Sequence, residues 1–239
     1  MKPLTVVGGC DPREAIGAAV CQFSIARRAS RPVSFIPLAE NALRSSGLYR
    51  RSHYRSEGQL FDAISAAPMT TDFAISRFLT RHLVGTGWAL FCDFADMLFL
   101  ADVAELFDLA DDRFAVMVVK HKHYPTEAEK MDGQSQTNYP RKNWSSLMLV
   151  NCDHPANEAL TLDAINELPG RDLHAFCWLT DDLIGELPAE WNHLVGVQPD
   201  NPEAKALHYT LGIPSMPGYA RCPRANDWWR ERAAMEGAQ

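Results

Sequence analysis

The hydrophobic residues of this chain form short runs that are separated by amphipathic and polar stretches. Leu4–Val7 and Val33–Ile36 are rich in β-branched side chains, and both predict buried strands. Between them, Asp11 is suited to be the N-cap of a helix that runs to Ala26, with Pro12 in its first turn. A strand, a helix and a strand in so few residues predict a βαβ unit and therefore a parallel sheet.

The same alternation continues towards the C-terminus and predicts a single α/β domain. The polar, Arg- and Ser-rich stretch Arg44–Gln59 is typical of a loop over the sheet. Another helix is expected to begin at Asp181. These elements predict three layers, in which helices flank a mixed and mainly parallel sheet. The remaining predicted strands are Trp88–Phe91, Ala115–Lys120, Leu147–Val150 and Ala206–Tyr209, and the remaining predicted helices are Thr71–Leu83, Thr161–Leu168 and Asp227–Met235.

Composition narrows the functional classes. With 239 residues, 46% of them hydrophobic and 22% charged, the chain can bury a full core. The net charge of −7 argues against nonspecific nucleic-acid binding, which requires a basic face. The six cysteines include no C-x-x-C pair, which favours reduced thiols and a cytoplasmic location. No signal-peptide pattern and no transmembrane segment is recognisable in the sequence, whereas peripheral contact with a membrane stays open.

Two carboxylates follow directly on the apolar strand Trp88–Phe91. In open α/β sheets, ligands bind beyond the carboxyl ends of the strands, where Asp93 and Asp96 are expected to lie. Carboxylates at such a place can hold a hard divalent cation that also binds a diphosphate. Aspartate is equally common in turns and helix caps, so the spacing alone supports both interpretations.

The stretch resembles the metal-binding segment of the family-eight retaining glycosyltransferases, the group of glycogenin and of the bacterial lipopolysaccharide galactosyl- and glucosyltransferases. In that family a strand is followed by D-x-D, an apolar run and a D-L-x-E-L-[WF] segment, which here reads Asp102–Phe107. Counting back without gaps places Asp96 on the second aspartate of D-x-D and Phe94 on the first. The motif is therefore D-x-x-D, and Asp93 is a ligand only if the chain bulges by one residue.

A second resemblance lies in Ala206–Tyr219, which is similar to the family's H-[FY]-x-G-x-x-K-P-W element. The histidine of that element is the third protein ligand of the metal. The resemblance therefore implies that His208 joins the two aspartates around Mn²⁺ or Mg²⁺. The other interpretation is a partly buried strand histidine. The family's lysine has no counterpart here, so its contact with the diphosphate is either missing or supplied by Arg221 or Arg224.

Two further motifs imply contacts with the nucleotide. Arg77 in Pro68–Leu79 matches a helix arginine of the family, and its planar fork suits phosphate or sugar hydroxyls. A single helix arginine is otherwise expected to be a solvated side chain. The turn with Gly9 and Asp11 corresponds to the place where family members hold uracil and ribose, although helix capping explains Asp11 equally well.

Two later segments imply contacts with the transferred sugar. Lys142–Asn151 resembles the family's F-N-[SA]-G-[VL]-x-[LV]-x-[ND] segment, which makes Ser145, Ser146 and Asn151 candidates, while turn chemistry explains the serines equally well. Trp178–Asp182 resembles the D-Q-x-x-[LI]-N segment. That resemblance implies that Asp181 and Asp182 act as the catalytic pair at the sugar.

Together the resemblances extend from Leu4 to about Tyr219 and imply one domain of the GT-A glycosyltransferase type. Its donor-binding half would be about 1–120 and its sugar and acceptor half about 121–239. The implied reaction is metal-dependent, retaining transfer of a hexose from a nucleoside-diphosphate sugar, most simply a UDP-sugar. The acceptor would be a saccharide, a lipid-linked glycan or a protein. Some elements also resemble a bacterial subgroup of proteins classed as glycosyltransferases by sequence.

Two other functions remain open at this stage. The incomplete D-x-D and the absent K-P-W favour a non-catalytic protein that binds nucleotide sugars. A sugar nucleotidyltransferase is a weaker alternative, because its Gly-rich loop needs a basic residue after the first strand, and the turn here supplies only Arg13.

Overall fold

A computed structural model describes residues 2–9, 14–121 and 141–238. The strands are β1 Leu4–Gly9, β2 Val33–Leu38, β3 His53–Ser56, β4 Gln59–Asp62, β5 Pro68–Met69, β6 Trp88–Cys92, β7 Met97–Phe99, β8 Val116–Val118, β9 Leu147–Asn151, β10 Ile184–Glu186, β11 His193–Leu194 and β12 Ala206–His208. The helices are α1 Ala15–Arg28, α2 Glu40–Ser45, α3 Thr80–Val84, α4 Val103–Phe107, α5 Leu162–Glu167, α6 Gly170–His174 and α7 Ala225–Gly237. Among the described residues, none of the helices has the length and apolar character that a membrane crossing needs.

The central sheet has six strands in the order β10-β8-β9-β6-β1-β2. β1 pairs in parallel with both β2 and β6, and β10 pairs in parallel with β8. β9 alone is reversed, because it pairs antiparallel with β6 and with β8. The predicted βαβ unit and the mixed, mainly parallel sheet are thus confirmed. The carboxyl ends of the five parallel strands and the beginning of β9 share one edge of the sheet, here called the ligand edge.

Successive strand residues point to opposite sides of this sheet, and the side chains on both of its faces are buried. Val7 and Phe91 belong to a core that continues into α5 and α6. Val6 and Leu90 belong to a second core, which includes residues of α1 such as Cys21. Helices therefore cover the sheet on both faces, and the architecture is the predicted three-layer α/β domain.

A small second sheet lies beside the ligand edge in the order β11-β12-β7. β12 runs antiparallel to β7, and in their register His208 pairs with Met97. Met97 follows directly on Asp96, so this register brings the last residue of β12 next to the second aspartate. The backbone N–H of Tyr209 donates to the carbonyl of Asp96 at 2.8 Å, which fixes the junction.

Three predictions of secondary structure need correction. The stretch Arg44–Gln59, predicted as a loop, contains the end of α2, the strand β3 and the first residue of β4, and these strands belong to a three-stranded sheet, β3-β4-β5. The helix predicted from Asp181 is a single 3₁₀ turn followed by β10, because Ile184 and Gly185 continue the sheet next to β8. The helix predicted over Thr71–Leu83 is the 3₁₀ helix Ser76–Leu79 followed by α3.

Candidate active site

The two aspartates lie at the ends of one tight turn between β6 and β7. The backbone N–H of Asp96 donates to the carbonyl of Asp93 at 3.4 Å. The backbone N–H of Asp93 donates to the carbonyl of Ser146 at 3.0 Å. Because the first and last residues of a β-turn are close in space, both carboxylates point to the same side. The D-x-x-D spacing is thus accommodated by the turn.

The two residues between the aspartates pack into the protein. Phe94 is fully buried and meets the ring of Phe35 edge-on at 5.9 Å. A Cβ atom at Gly8 would lie 2.0 Å from the Phe94 ring, so this position of β1 requires glycine. A Cβ atom at Gly17 of α1 would lie 2.0 Å from the carbonyl oxygen of Ala95. The backbone of Gly8 thus lies against the Phe94 ring and that of Gly17 against the Ala95 carbonyl, and these two contacts fix the turn from two sides.

His208 completes a cluster with these aspartates. One ligand atom from each of Asp93, Asp96 and His208 can be chosen so that all three lie within 4.8 Å of one another. His208 Nε2 is 3.4 Å from Asp96 Oδ2. An octahedral cation with ligand distances of about 2.1 Å places its ligand atoms about 3–4 Å apart. Two carboxylates and an imidazole in this arrangement fit Mn²⁺ or Mg²⁺.

A chain of hydrogen bonds orients the His208 ring. His208 Nδ1 is 3.0 Å from Asn192 Oδ1, and the Asn192 amide nitrogen donates to Ser146 Oγ at 3.0 Å. Ser146 Oγ in turn donates to the Asn143 carbonyl at 2.7 Å. When Nδ1–H donates its hydrogen bond to the amide oxygen of Asn192, the lone pair of the neutral ring is on Nε2. That nitrogen then faces Asp96 as a metal ligand does.

Arg77 is buried beside Asp93. Its side chain is only 7% exposed, and Nη1 lies 3.2 Å from Asp93 Oδ1 and 2.9 Å from the Ser145 carbonyl, to which it donates. The guanidinium also lies over the rings of Phe73 and Phe91, at 5.5 and 5.1 Å from their centroids. The expectation of a solvated helix arginine is therefore wrong. Arg77 is a fixed buried cation beside the cluster of Asp93, Asp96 and His208.

A cavity of about 90 Å³ opens onto this cluster. His174, which the sequence analysis did not single out, is one of its walls, and its Nδ1 is 2.7 Å from Ser145 Oγ. Burial, and to a lesser extent Arg77 and Lys142, holds the pKa of His174 well below its ordinary value. Its imidazole is therefore neutral at physiological pH. The walls of this cavity are Thr70, Thr71, Ala74, Arg77, Asp93, Asp96, Lys142, Asn143, Ser145, Ser146, His174 and His208.

Three candidates lie away from the cluster. Asn151 is at the far end of β9, four residues beyond the ligand edge, or about 13 Å along the strand. It pairs with Trp88, and its side-chain oxygen accepts from Asp153 N–H. The expectation that Asn151 faces the donor sugar is corrected, since the reversed direction of β9 brings its beginning, rather than its end, to the ligand edge.

Asp181 and Asp182 are also at the opposite edge. They lead into β10, and because β10 runs parallel to β8, its beginning is remote from the ligand edge. Asp181 is 89% exposed and forms an ion pair with Arg141, and Asp182 is exposed as well. The expectation of a catalytic pair at the transferred sugar is corrected accordingly.

The proposed nucleotide contacts have mixed outcomes. A Cβ atom at Gly9 would lie 2.2 Å from the Phe73 ring, so packing explains this glycine, and its contact with a ligand stays a prediction. Asp11 lies outside the described residues. Arg224 is engaged with Asp227 and Asp200. Lys142 lines the cavity and supplies a cation in the wall that also contains Asp93, Asp96 and His208.

The chain is similar to known proteins in sequence and in fold. No family model matches the chain. Protein CDI of Arabidopsis thaliana is 44% identical over 236 residues, which cover 96% of this chain and 86% of CDI. The chain belongs to the CDI family. Its relatives thus include a plant protein, whereas the sequence pattern resembles a bacterial subgroup.

Solved glycosyltransferases share the fold of this CDI-family chain. The bifunctional enzyme WbbM superposes with a TM-score of 0.64 at 16% identity, over 99% of this chain and 52% of WbbM. GlyE of Streptococcus pneumoniae gives 0.62 at 14% identity, over 99% of this chain and 63% of GlyE. The chain thus spans between half and two thirds of these two proteins.

The galactosyltransferase LgtC, solved with donor and acceptor sugar analogues, gives a TM-score of 0.59 at 13% identity. The superposition covers 97% of this chain and 96% of LgtC. LgtC belongs to the family-eight glycosyltransferases. The CDI-family chain therefore has the GT-A glycosyltransferase fold over nearly its whole length, as predicted.

Asn192 provides a first prediction. We expect Asn192→Leu to lower Mn²⁺ affinity by about 10–100-fold, because the imidazole of His208 loses the partner that orients it. Titration of Mn²⁺ by its paramagnetic signal measures this. Asn166→Leu is the matched control, since Asn166 is equally buried but bonds to Leu48 and Leu162. Equal Mn²⁺ affinities in both variants would contradict the role given to Asn192.

His174 provides a prediction about pH. The folded state resists protonation of this ring, whereas the unfolded chain binds a proton below about pH 6.5. The neutral ring of His174 therefore contributes its full share to the free energy of unfolding above that pH, and this share is lost on acidification. We expect acidification from pH 7.5 to 5.5 to lower the free energy of unfolding by about 1.4 kcal/mol through this ring. Urea unfolding at both pH values should show a smaller acid loss for His174→Gln, and an identical loss would refute this.

Proposed function

We propose that this CDI-family protein is a metal-dependent glycosyltransferase that uses a nucleoside-diphosphate sugar, most simply a UDP-sugar. One observation carries the proposal: Asp93, Asp96 and His208 converge within 4.8 Å at the ligand edge of a GT-A fold. The two aspartates belong to the turn between β6 and β7, and His208 ends β12, more than a hundred residues later in the sequence. A shared cation explains why two such distant segments bring metal-binding side chains together.

The residues around the cluster suit a diphosphate. Asp93, Asp96 and His208 would hold Mn²⁺ or Mg²⁺, and the bound cation would supply neutralisation of the charge that develops on the leaving diphosphate. Arg77 fixes the position of Asp93, and Lys142 adds positive charge to the cavity wall. Anionic phosphate oxygens would therefore meet cations in a partly buried setting, where such contacts are strong.

His174 and Ser145 form the neutral part of the wall. Ser145 Oγ is held at 2.7 Å from His174 Nδ1, and Ser145 lines the cavity as predicted for a donor contact. A neutral imidazole and a hydroxyl can exchange hydrogen bonds with sugar hydroxyls without a cost in charge burial. We therefore assign the transferred sugar to this side of the metal cluster.

Further features remain part of the same proposal. The donor-binding half would be about residues 1–120 and the acceptor half about 121–239. The described cysteines form no disulfide, which supports a reducing, cytoplasmic location. Retention of configuration and a hexose as the transferred group follow from the resemblance. A non-catalytic role loses its main support, because Asp93 and Asp96 lie together despite the D-x-x-D spacing.

The experiment is a panel of nucleoside-diphosphate sugars incubated with the protein, in Mn²⁺ or in excess chelator. We expect at least one donor to be hydrolysed slowly in Mn²⁺ and not in chelator, because the cation stabilises the leaving group. Asp96→Asn should remove the activity while the variant stays folded. A donor that is consumed equally in chelator, or by Asp96→Asn, would contradict the proposal.

A further inference from the structure

A second and larger cavity, of about 430 Å³, adjoins the metal cluster. Thr70, Ala74, Lys142 and His174 line both this cavity and the smaller one, so the two spaces are neighbours that share a wall. Its volume is within the range of about 300–1,000 Å³ that is typical of small-molecule sites. The other walls are Asp62, Ser65, Ala67, Pro68, Met69, Ile75, Pro169, Gly170 and Arg171.

The chemistry of the larger cavity differs from that of the metal cluster. Its surface is mostly apolar, with contributions from Pro68, Met69, Ile75 and Pro169. Such a surface favours the face of a ring and disfavours a diphosphate. The metal-binding residues do not line it, so the leaving group of the donor is not expected there.

The charged side chains that line this cavity are Asp62, Lys142 and Arg171. His174 also lines it, and its ring is neutral. Asp62 is neutralised by Arg51, whose Nε and Nη2 donate to its two carboxylate oxygens at 2.6 and 2.7 Å. Both members of this ion pair are buried. The charge of Asp62 is therefore compensated, and Arg171 contributes positive charge at the rim of the cavity.

Arg171 is available to a ligand. It is 74% exposed and forms, among the described residues, a surface pair with Asp172 at 3.2 Å, which contributes little to stability. Asp172 does not line the cavity. A cationic rim above an apolar wall recognises a molecule that has an apolar face and an anionic group.

We propose that this cavity is the acceptor subsite and that it takes a hydroxyl compound with an apolar ring face and one carboxylate. The inference rests on the proposed function, because it places the acceptor hydroxyl towards the shared wall and the donor sugar. The reaction forms a glycosidic bond from the acceptor oxygen to the anomeric carbon and breaks the bond from that carbon to the diphosphate. The acceptor hydroxyl proton goes to solvent or to the released diphosphate.

The test uses two matched pairs of probes, each an anion with its neutral analogue. One pair is glucuronate and glucose, and the other is para-hydroxyphenylacetate and its amide. Binding is measured by ligand-observed NMR in excess chelator, so that a carboxylate cannot bind through a metal. We expect the anion of at least one pair to bind at least about tenfold more tightly than its neutral partner. The pair that binds identifies a sugar or an aromatic ring.

Ala67→Trp is designed to fill the cavity, and Ala63→Trp is its matched control. Both alanines are in the connection between β4 and β5, but Ala63 is exposed and does not line the cavity. Ala67→Trp should lower probe affinity at least about tenfold, and Ala63→Trp should leave it unchanged. Arg171→Glu should remove the preference for the anion, whereas Arg113→Glu, with the same charge change at an exposed site, should retain it.

The outcomes separate this inference from the proposed function. Donor hydrolysis in Mn²⁺ tests the proposed function before any acceptor is added. If hydrolysis occurs, Ala67→Trp should retain it and lose transfer to the bound probe. Wild-type transfer by Ala67→Trp, an unchanged anion preference in Arg171→Glu, or binding of neither anion would overturn the acceptor subsite alone.

Discussion

Replacing Asp96 and His208 together is expected to cost little more Mn²⁺-dependent activity than replacing either one. Each single alanine variant should lose at least about 100-fold, since removal of a direct ligand costs more than removal of its hydrogen-bond partner. Once one ligand is lost the cation is already weakly held, so the second loss adds little. The carboxylate and the imidazole lie 3.4 Å apart and would act as a unit. The measurement is the rate of donor hydrolysis by the wild type, the two single variants and the double variant, which together form a double-mutant cycle.

His193→Ala is the control for this cycle. His193 is a buried histidine of β11, next to β12, and its nearest acidic group is Asp200 at 4.0 Å. Its removal should lower stability while leaving Mn²⁺ affinity unchanged. Melting curves of all variants separate loss of folding from loss of metal. Additive losses for Asp96 and His208 would mean that the two residues serve separate functions.

Arg77→Ala is expected to destabilise the fold by about 3–5 kcal/mol, because it leaves the buried carboxylate of Asp93 without its guanidinium. The same change removes the hydrogen bond to the Ser145 carbonyl. Chemical denaturation in chelator measures the loss. Mn²⁺ should reduce it, because the cation supplies a new positive charge beside Asp93.

Two comparisons test the cause of that loss. Arg81→Ala is the matched control, since Arg81 is only partly buried and bonds to the Cys152 carbonyl. It should cost about 1 kcal/mol or less. In the double variant of Arg77→Ala with Asp93→Asn, most of the loss should be recovered, because no uncompensated charge remains. Equal losses for Arg77 and Arg81 would return Arg77 to the class of ordinary helix arginines.

The sequence predicted the sheet and the position of the two aspartates for a common physical reason. Hydrophobic runs such as Trp88–Phe91 identify buried strands, and the carboxyl end of a parallel strand is where ligands bind. Asp93 and Asp96 were placed at the end of β6 in this way, whereas His208 was implied by the resemblance alone, and the structure brings the three side chains together. The spacing of the two aspartates was ambiguous, because only the three-dimensional turn shows that Phe94 and Ala95 point into the protein.

The misplaced candidates all depend on strand direction. A polar residue after a strand faces the ligand edge only if that strand is parallel to its neighbours, and β9 is reversed. Asn151 was therefore assigned to the wrong end, while Ser145, before the same strand, lines the cavity, and its contact with the donor sugar stays a prediction. Asp181 precedes its strand, and no local pattern indicates the direction in which β10 pairs.

Long-range contacts account for the features of the site that the sequence could not predict. Arg77 is buried because Phe73, Phe91 and Asp93 surround its guanidinium, and helical periodicity contains no information on such contacts. His174 and Asn192 reach the site through the folding of the second half of the chain. In the structure Asn192 orients His208, and no local sequence pattern indicates this contact.

Calorimetric melting with UDP, in Mn²⁺ and in excess chelator, tests the central claim most directly. If the metal bridges Asp93, Asp96 and His208 to a diphosphate, UDP at about 100 times its Kd should add about 2.7 kcal/mol in Mn²⁺. For a chain of this size, that is a rise of about 5–10 °C in Tm. In chelator, UDP should add much less. An equal rise in chelator would contradict the metal site, and no rise in either would contradict nucleotide-sugar binding.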